Sequence, residues 1–531
     1  MNIISSLQPK PSIGGDPLKK SSFLFGIILL TIVNFIVRSM GFVYRIILSR
    51  LIGAEAIGLY QMVFPFLMVL IAIPTAGIPV AVSKMVAKEN SLRNHTGIYK
   101  ILTIALAIGG TLSLFLSIFV SLRIEWITTE VLKNPRLYYL ILFCIPSISL
   151  ISFSSIIRGF FYGLKDMQPA ATAQIIEQLT RIIFVLGYLY YQRPSSPIMS
   201  AIIAIIGISI GEFFGLLYLI LRFQIKKFKN VPRVIMGPTE SMPAISKSLL
   251  FIAVPLTLSR LISTLMQTVN AVLIPQRLIV AGYSSIEAVE TFGKISGMAM
   301  PLLFLPFTVT SALVINLIPN VSEQMALNNV DDVTYKSNLA IRMTLLVAIP
   351  TMVVYAIFGN HLAELIYNHE EVGRYLSIIS YGTLFLCMQH TISGILHGLG
   401  KQVVTTINYM LGMSIQLYCT YILVPNPKYG INGFFIGFLL STFIIFVLNT
   451  ISLHRIIKLK VPLIQSVIKP GICALFMIMT MNYSYHFVYG FMHSNTWSTL
   501  LASTLGILSY ALALLVTKTL EIRTLMNIFR G

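Results

Sequence analysis

Apolar runs of roughly twenty residues, separated by proline, glycine or charged residues, recur through this chain from Phe23 to Val516. A helix needs a run of about that length to cross a hydrocarbon layer about 30 Å thick, so the repetition specifies helices threading a bilayer many times. Composition agrees: 56% of the 531 residues are hydrophobic, 11% are charged and the mean hydropathy is +0.84. A soluble core of this size would need far more polar surface. The fold class read here is an all-α polytopic membrane protein. About fourteen spans are expected, near 22–48, 57–83, 97–121, 137–157, 170–191, 197–221, 248–278, 288–318, 338–358, 375–397, 403–424, 431–453, 463–488 and 496–517.

The formal charge of +20 would suggest nucleic acid in a soluble protein. Here the basic residues crowd alternate loops. With an even number of spans and both termini cytoplasmic, the inside loops, Arg158 and Lys165 among their residues, outnumber the outside ones in Lys and Arg by about three to one. The positive-inside rule therefore orients a multi-pass protein of the cytoplasmic membrane, with no nucleic-acid partner. The basic run at 222–233 lies at the anionic leaflet and links two halves. Cys144, Cys387, Cys419 and Cys473 fall inside apolar runs without a CxxC spacing, and read as small buried hydrophobes. The first span is expected to be an uncleaved anchor, since no A-x-A cleavage site follows a short apolar run. The expected organisation is a tail at 1–21, a first lobe at 22–222, a basic linker at 223–247, a second lobe at 248–456, and two further spans with a tail at 457–531.

The two lobes resemble each other. Ile157-Arg158-Gly159-Phe160-Phe161-Tyr162-Gly163-Leu164 is echoed by Ile392-Ser393-Gly394-Ile395-Leu396-His397-Gly398-Leu399, and Ile73-Pro74 by Leu305-Pro306. Both pairs are offset by about 230 residues, and six spans per lobe make the repeats parallel. Gly159/Gly163 and Gly394/Gly398 suit close helix packing.

Few charges sit within the spans. Arg38 and Arg45 are seven residues apart, about 700° of helical rotation, and so project from nearly one face. Charges near a bilayer centre cost about 2.5–3.5 kcal/mol on insertion scales and almost always face a bundle interior or wet cavity. Two on one face suggest a cavity for something anionic; snorkelling to a headgroup or pairing with an acid from another helix stays open. Glu177–Arg181 and Glu290–Lys294 are i,i+4 pairs that can neutralise each other. Glu212 and Arg260 have no such local partner, and Arg260 is open between cavity lining and snorkelling. All four aspartates fall in loops, which weakens an aspartate proton or sodium relay. Asn34, Gln61, Glu212 and Asn270 are further polar candidates for a cavity. Pro74, Gly77 and Pro79 in span two, with Pro301 and Pro306 in span eight, break matching helices and mark either bending elements or static kinks.

No Walker loop, GxSxG or HExxH occurs, and the eight histidines are scattered. No catalytic or metal site is therefore assigned. Without an energising domain, transport would run on a gradient, on membrane potential or downhill.

Arg38-x-x-Gly-Phe-x-x-Arg45, the stretch Ser49–Tyr60 (SRLIGAEAIGLY) and Gly77–Lys84 (GIPVAVSK) resemble the opening of the stage V sporulation protein B-like family. Arg158–Gly163, Met167-Gln168-Pro169 and Ile176-Glu177-Gln178 are similar to the same family. It lies in the polysaccharide-exporter branch of the multidrug/oligosaccharidyl-lipid/polysaccharide flippase superfamily, beside the lipid II flippases. The resemblance implies two six-helix lobes about a V-shaped cavity, with two extra C-terminal helices that line a lipid-tail groove in the lipid II flippases. It implies a cargo of undecaprenyl-diphosphate-linked saccharide, lipid II for spore cortex or cell wall, moved by alternating access. First-helix arginines are essential in those relatives, and Arg38 and Arg45 match that pattern. Arg260 and Lys294 are weaker candidates for the same diphosphate. Span two here lacks the basic residue of the lipid II flippases, and their acidic sodium ligands have no counterpart in spans seven and eleven. Coupling stays open between membrane potential, H+ and Na+, with no bound cofactor.

The expected function is thus a lipid-linked oligosaccharide flippase working as a monomer, with cell-wall synthesis proteins as partners. Its rivals are an exporter of another polysaccharide or teichoic-type lipid-linked unit, and a cation-coupled multidrug exporter of the same fold. A scaffold or glycosyltransferase-like enzyme would need carboxylates at an outer groove; Glu364, Glu370 and Glu371 form the one such cluster and read as solvated loop charges.

Overall fold

A computed structural model describes residues 17–192, 194, 196–229, 241–459 and 462–519. Most of the expected tails and the centre of the expected linker lie outside the described residues. Every regular element described is helical. The main helices are α1 (Pro17–Thr75), α2 (Ile78–Ser91), α3 (His95–Leu122), α4 (Tyr138–Gly163), α5 (Gln168–Gln192), α6 (Pro197–Lys229), α7 (Met242–Val280) and α8 (Ser285–Gly293). They continue with α9 (Phe307–Ala326), α10 (Val330–Tyr367), α11 (Glu370–Ile379), α12 (Tyr381–Gly398), α13 (Gln402–Leu423), α14 (Ile431–His454), α15 (Lys469–Met492) and α16 (Asn495–Val516).

Nine helical stretches among the described residues are long and apolar enough to cross a membrane, or ten if the bent pair Ser285–Leu303 and Phe307–Ala326 counts as one. Fourteen were expected. The difference has two sources. Expected spans one and two fall in a single stretch, Ile32–Ser91. Helices α5, α12 and α13 occupy expected spans but carry many polar side chains that face the protein, such as Glu177, Gln389 and Gln416, which lower their hydropathy. Large apolar side chains such as Phe115, Ile118, Phe251 and Phe476 stand exposed on the outer faces, as a lipid-embedded bundle requires.

Local chemistry sets the helix ends. The Asn94 side chain accepts from the Gly97 amide to cap α3, and Asn329 accepts from Asp332 to cap α10. Ser284 and Glu287 form a reciprocal capping box at α8. Within α1 the helix breaks at Gly53, whose φ of 77° and ψ of 174° suit a residue without Cβ. Pro74, Gly77 and Pro79 separate α1 from α2. After α8, a π-helical turn at Lys294–Ala299 leads to Met300–Leu303 and then bends by 53° into α9. Pro301 and Pro306, each lacking an amide hydrogen, sit at that bend.

The repeat expected from sequence appears as duplicated packing. A Cβ on Gly159 would lie 2.5 Å from the Pro79 carbonyl oxygen, and one on Gly163 would lie 2.7 Å from Val86 Cβ. In the second lobe, Gly394 meets Val314 at 2.5 Å and Gly398 meets Val321 at 3.1 Å. The four partners correspond 235 positions apart (79 to 314, 86 to 321, 159 to 394, 163 to 398). In each lobe, a glycine-faced fourth helix thus holds the far half of a broken second helix.

Two seams join the lobes. At one, Gly58 faces Val289, Gly293 faces Ala54, and Gly297 faces Ile57. At the other, a Cβ on Gly77 would stand 2.0 Å from the Ala253 carbonyl oxygen, and Ile78 and Val82 pack with Ile245 and Leu249. The C-terminal pair α15–α16 packs on α10, where the Tyr510 hydroxyl donates to the Leu346 carbonyl at 3.0 Å.

Candidate functional site

Between the two seams lie two chambers that share Gln61, Phe304 and Phe307 on their walls. The break at Pro301–Pro306 sets those two aromatic rings where the chambers meet. The first chamber, of about 600 Å³, is lined by Arg38, Arg45, Tyr44, Tyr60, Gln178 and Arg181, with Pro301 on the opposite wall. The second, of about 610 Å³, lies in the second lobe and includes Gln61 and Asn270 in its lining.

Arg38 and Arg45 reach the same chamber because one uninterrupted stretch of α1 carries both on one face. Among the described residues neither makes an ion pair with a carboxylate. The third guanidinium, Arg181, arrives from α5 and was read from sequence only as half of a local pair. Its Nη2 does donate to Glu177 Oε1 at 2.9 Å, yet the side chain also lines the chamber. No local signal in the sequence separates these two roles, since the register between α1 and α5 decides them.

Behind Arg181 lies a buried charge cluster. Glu177 Oε2 accepts from Arg158 Nη2 at 2.8 Å, and the same Nη2 stands 3.5 Å from Glu212 Oε2. Arg158 was counted from sequence as a cytoplasmic loop charge. That is corrected here: it is turned into the bundle near the end of α4, because two carboxylates await it there. Glu212 belongs to this cluster on α6 and is not part of either chamber's lining. Small residues permit the approach: a Cβ on Gly211 would stand 2.7 Å from the Glu177 carbonyl oxygen.

Other candidates are placed elsewhere. Lys294 Nζ is held by Glu290 at 2.9 Å and by Glu371 at 2.6 Å, and lines neither chamber. Glu371, expected to be solvated, is thereby an ion-pair partner, while Glu364 accepts from Asn495 Nδ2. Arg260 is exposed on α7 and Asn34 lies one turn before Arg38; neither lines a chamber. Gln61 lines both chambers and donates to the Ser296 carbonyl at 3.0 Å. Pro74, Gly77 and Pro79 lie at the Ala253 seam, away from both. Cys144, Cys387 and Cys473 are buried and Cys419 partly so. Among the described residues no cluster of His, Cys, Asp or Glu could hold a metal ion.

Comparison with known proteins places this geometry in context. The family described as "Polysaccharide biosynthesis protein" matches residues 23–325, and that described as "MatE" matches residues 255–422. Stage V sporulation protein B of Bacillus subtilis is 27% identical over 444 residues, covering 84% of this chain and 86% of the relative. The lipid II flippase MurJ of the same organism is 25% identical over 420 residues, covering 75% and 76%. Among solved structures, the lipid II flippase MurJ in an inward closed conformation superposes with a TM-score of 0.66 at 19% identity, covering 92% of this chain and 98% of that one. An inward-facing multidrug resistance MATE family transporter of the MOP superfamily gives 0.64 at 16% identity, covering 81% and 97%. The fold is that of these transporters.

Proposed function

The chain belongs to the polysaccharide biosynthesis protein family, within the MOP superfamily of membrane transporters, and from that membership we propose that it is a flippase for an undecaprenyl-diphosphate-linked saccharide. The proposed cargo is the peptidoglycan precursor lipid II, for spore cortex or cell wall, and the route is alternating access across the cytoplasmic membrane. The names of two relatives, a stage V sporulation protein and a lipid II flippase, support this reading.

The observation that carries it is the wall of the first chamber. Three guanidinium groups converge there, two of them without a carboxylate partner among the described residues. Guanidinium forms bidentate, charge-assisted bonds with phosphate oxygens, so a diphosphate would satisfy a charge otherwise costly in an apolar bundle. Arg38, Val43 and Phe304 on this wall are exposed, so charged and apolar surface adjoin there. A cargo could keep its isoprenoid tail in lipid while its diphosphate sits among the arginines.

Both seams are packed in this conformation, so the two lobes touch at each of them. Transport would open them in turn. With the termini cytoplasmic, as the loop charges support, an inside-negative potential would favour net outward movement of the anionic cargo over a full cycle. It would act chiefly on the return of the empty, cationic chamber, at about 2.3 kcal/mol per charge per 100 mV, because the bound diphosphate offsets the arginine charge on the loaded leg. Membrane potential is thus the proposed drive.

The test is rescue of a bacterium depleted of its own lipid II flippase, with outer-leaflet lipid II scored directly. Wild type should rescue, and Arg38→Ala and Arg45→Ala should fail at matched membrane abundance. Failure of well-expressed wild type would redirect the reading to another polyprenyl-linked glycan, and rescue by both variants would remove the arginine chamber from it.

A further inference from the structure

The second chamber differs in kind from the first. Its lining contains no Asp, Glu, Lys or Arg. It presents instead five carboxamides, those of Gln61, Gln267, Asn270, Gln389 and Gln416, drawn from α1, α7, α12 and α13. Hydroxyl side chains, including Tyr409 and Ser441, alternate with them, and phenylalanine rings form the remaining wall. The His390 ring stacks on Phe307, with centroids 5.1 Å apart and an interplanar angle of 24°.

Several polar atoms on these side chains lack a hydrogen-bond partner although they are buried: Asn270 Oδ1, Gln389 Oε1, His390 Nδ1 and Ser441 Oγ. Native interiors rarely leave such groups unpaired, because the cost of desolvation is then unrecovered. An isoprenoid tail would offer the five carboxamides of this wall no hydrogen-bond partner. A small cation would find no carboxylate, and a phosphate no cation. Neutral ligands rich in hydroxyl and amide groups match the wall, since carboxamides both donate and accept. Their apolar ring faces would rest on the phenylalanines. At about 610 Å³ the chamber falls within the range of roughly 300–1,000 Å³ typical of small-molecule sites.

We propose that this uncharged chamber holds the saccharide of the cargo, with Asn270 and Gln389 acting as specificity-determining residues that distinguish a glycosylated lipid diphosphate from a bare one. The proposal rests on the flippase reading above and deepens it. Division of labour follows: the arginines of the first lobe grip the diphosphate, and the carboxamides of the second read the sugar across the Phe304–Phe307 junction.

The test measures binding of two lipids, undecaprenyl diphosphate and lipid II, to full-length protein in nanodiscs by native mass spectrometry. Asn270→Leu and Gln389→Met nearly conserve shape while removing the carboxamide. Each should weaken lipid II binding by about fivefold, the loss of one neutral hydrogen bond, and leave undecaprenyl diphosphate within about twofold of wild type. Retained binding of the bare lipid also reports that the variant is folded. Arg45→Ala should weaken both lipids alike. Equal loss of both lipids in the carboxamide variants, or no loss of either, overturns the saccharide chamber while the flippase reading stands. Wild type that binds neither lipid overturns the flippase reading, and this proposal with it.

Discussion

Arg181 donates to Glu177 at 2.9 Å while its side chain forms part of the wall that Arg38 and Arg45 line. One guanidinium therefore belongs to an ion cluster and to the wall of the arginine-lined chamber at once. Arg181→Lys should keep the charge and most of the stability but lose the planar fork that can serve both partners. We expect transport to fall by at least about tenfold, with the thermal midpoint moving by only a few degrees. Flipping by purified protein in vesicles would measure the first and thermal unfolding in detergent the second. Wild-type transport by the lysine variant would assign Arg181 to structure alone.

The cluster behind it should show the asymmetry of buried charge. Glu177→Leu leaves Arg158 and Arg181 with Glu212 alone, 3.5 Å from Arg158, and should cost about 3–5 kcal/mol. Adding Arg158→Leu should recover part of that loss, because the second leucine removes the excess positive charge. Glu212→Gln should be milder than either, since Glu212 touches Arg158 only at 3.5 Å. A thermodynamic cycle by reversible unfolding in detergent decides this; additive losses for Glu177→Leu and Arg158→Leu would contradict it.

The Gly77 seam leaves no room for a methyl group. A Cβ there would meet the Ala253 carbonyl oxygen at 2.0 Å, and backbone cannot swing aside as a flexible side chain can. Gly77→Ala should wedge this seam open. With the four native cysteines replaced, an Ile78→Cys probe should then react with a polar thiol reagent at least about tenfold faster than in the Gly77 background, a shift of 1.4 kcal/mol or more in the open fraction. Unchanged labelling would mean that the seam yields without opening.

Gly53 offers a contrast, because it has open space around its missing Cβ and a φ of 77°. Substitution there should act through backbone conformation alone. Gly53→Ala and Gly53→Asn should each destabilise by about 1–3 kcal/mol, because with ψ at 174° the backbone lies outside the left-handed well that asparagine tolerates, in a region essentially restricted to glycine. Reversible unfolding in detergent checks this; losses within about 0.5 kcal/mol for both would mean that the break relaxes without strain.

What could be read in the sequence was what depends on spacing along one helix. Arg38 and Arg45 share a face at any register, so their common chamber followed from helical geometry. The repeat was legible because the glycines that mediate it cannot be replaced by larger residues where backbones touch. Contacts between helices were not legible. Lys294 pairs with Glu290 as its spacing allows, but its second partner, Glu371, lies 77 positions away and no local pattern announces it. Arg158 looked like a loop residue because its partners lie on two other helices. The uncharged chamber draws its wall from residues 61 to 445, and of its five carboxamides only Gln61 and Asn270 are cavity candidates from sequence. Individually such amides are indistinguishable from ordinary interhelical hydrogen-bonding groups. Their convergence exists only in three dimensions.

The matched clasps of Gly159 and Gly163 on α2, and of Gly394 and Gly398 on α9, bear on leakage. Proline breaks alone would let each second helix flex at its middle, so that both ends of the protein could gape together. Clasped to a neighbour beyond the break, the helix turns only with its whole lobe. Such a lever parts at one end by closing at the other. In the proposed cycle a large headgroup would then pass while protons and salt, far smaller than it, would find no continuous aqueous path.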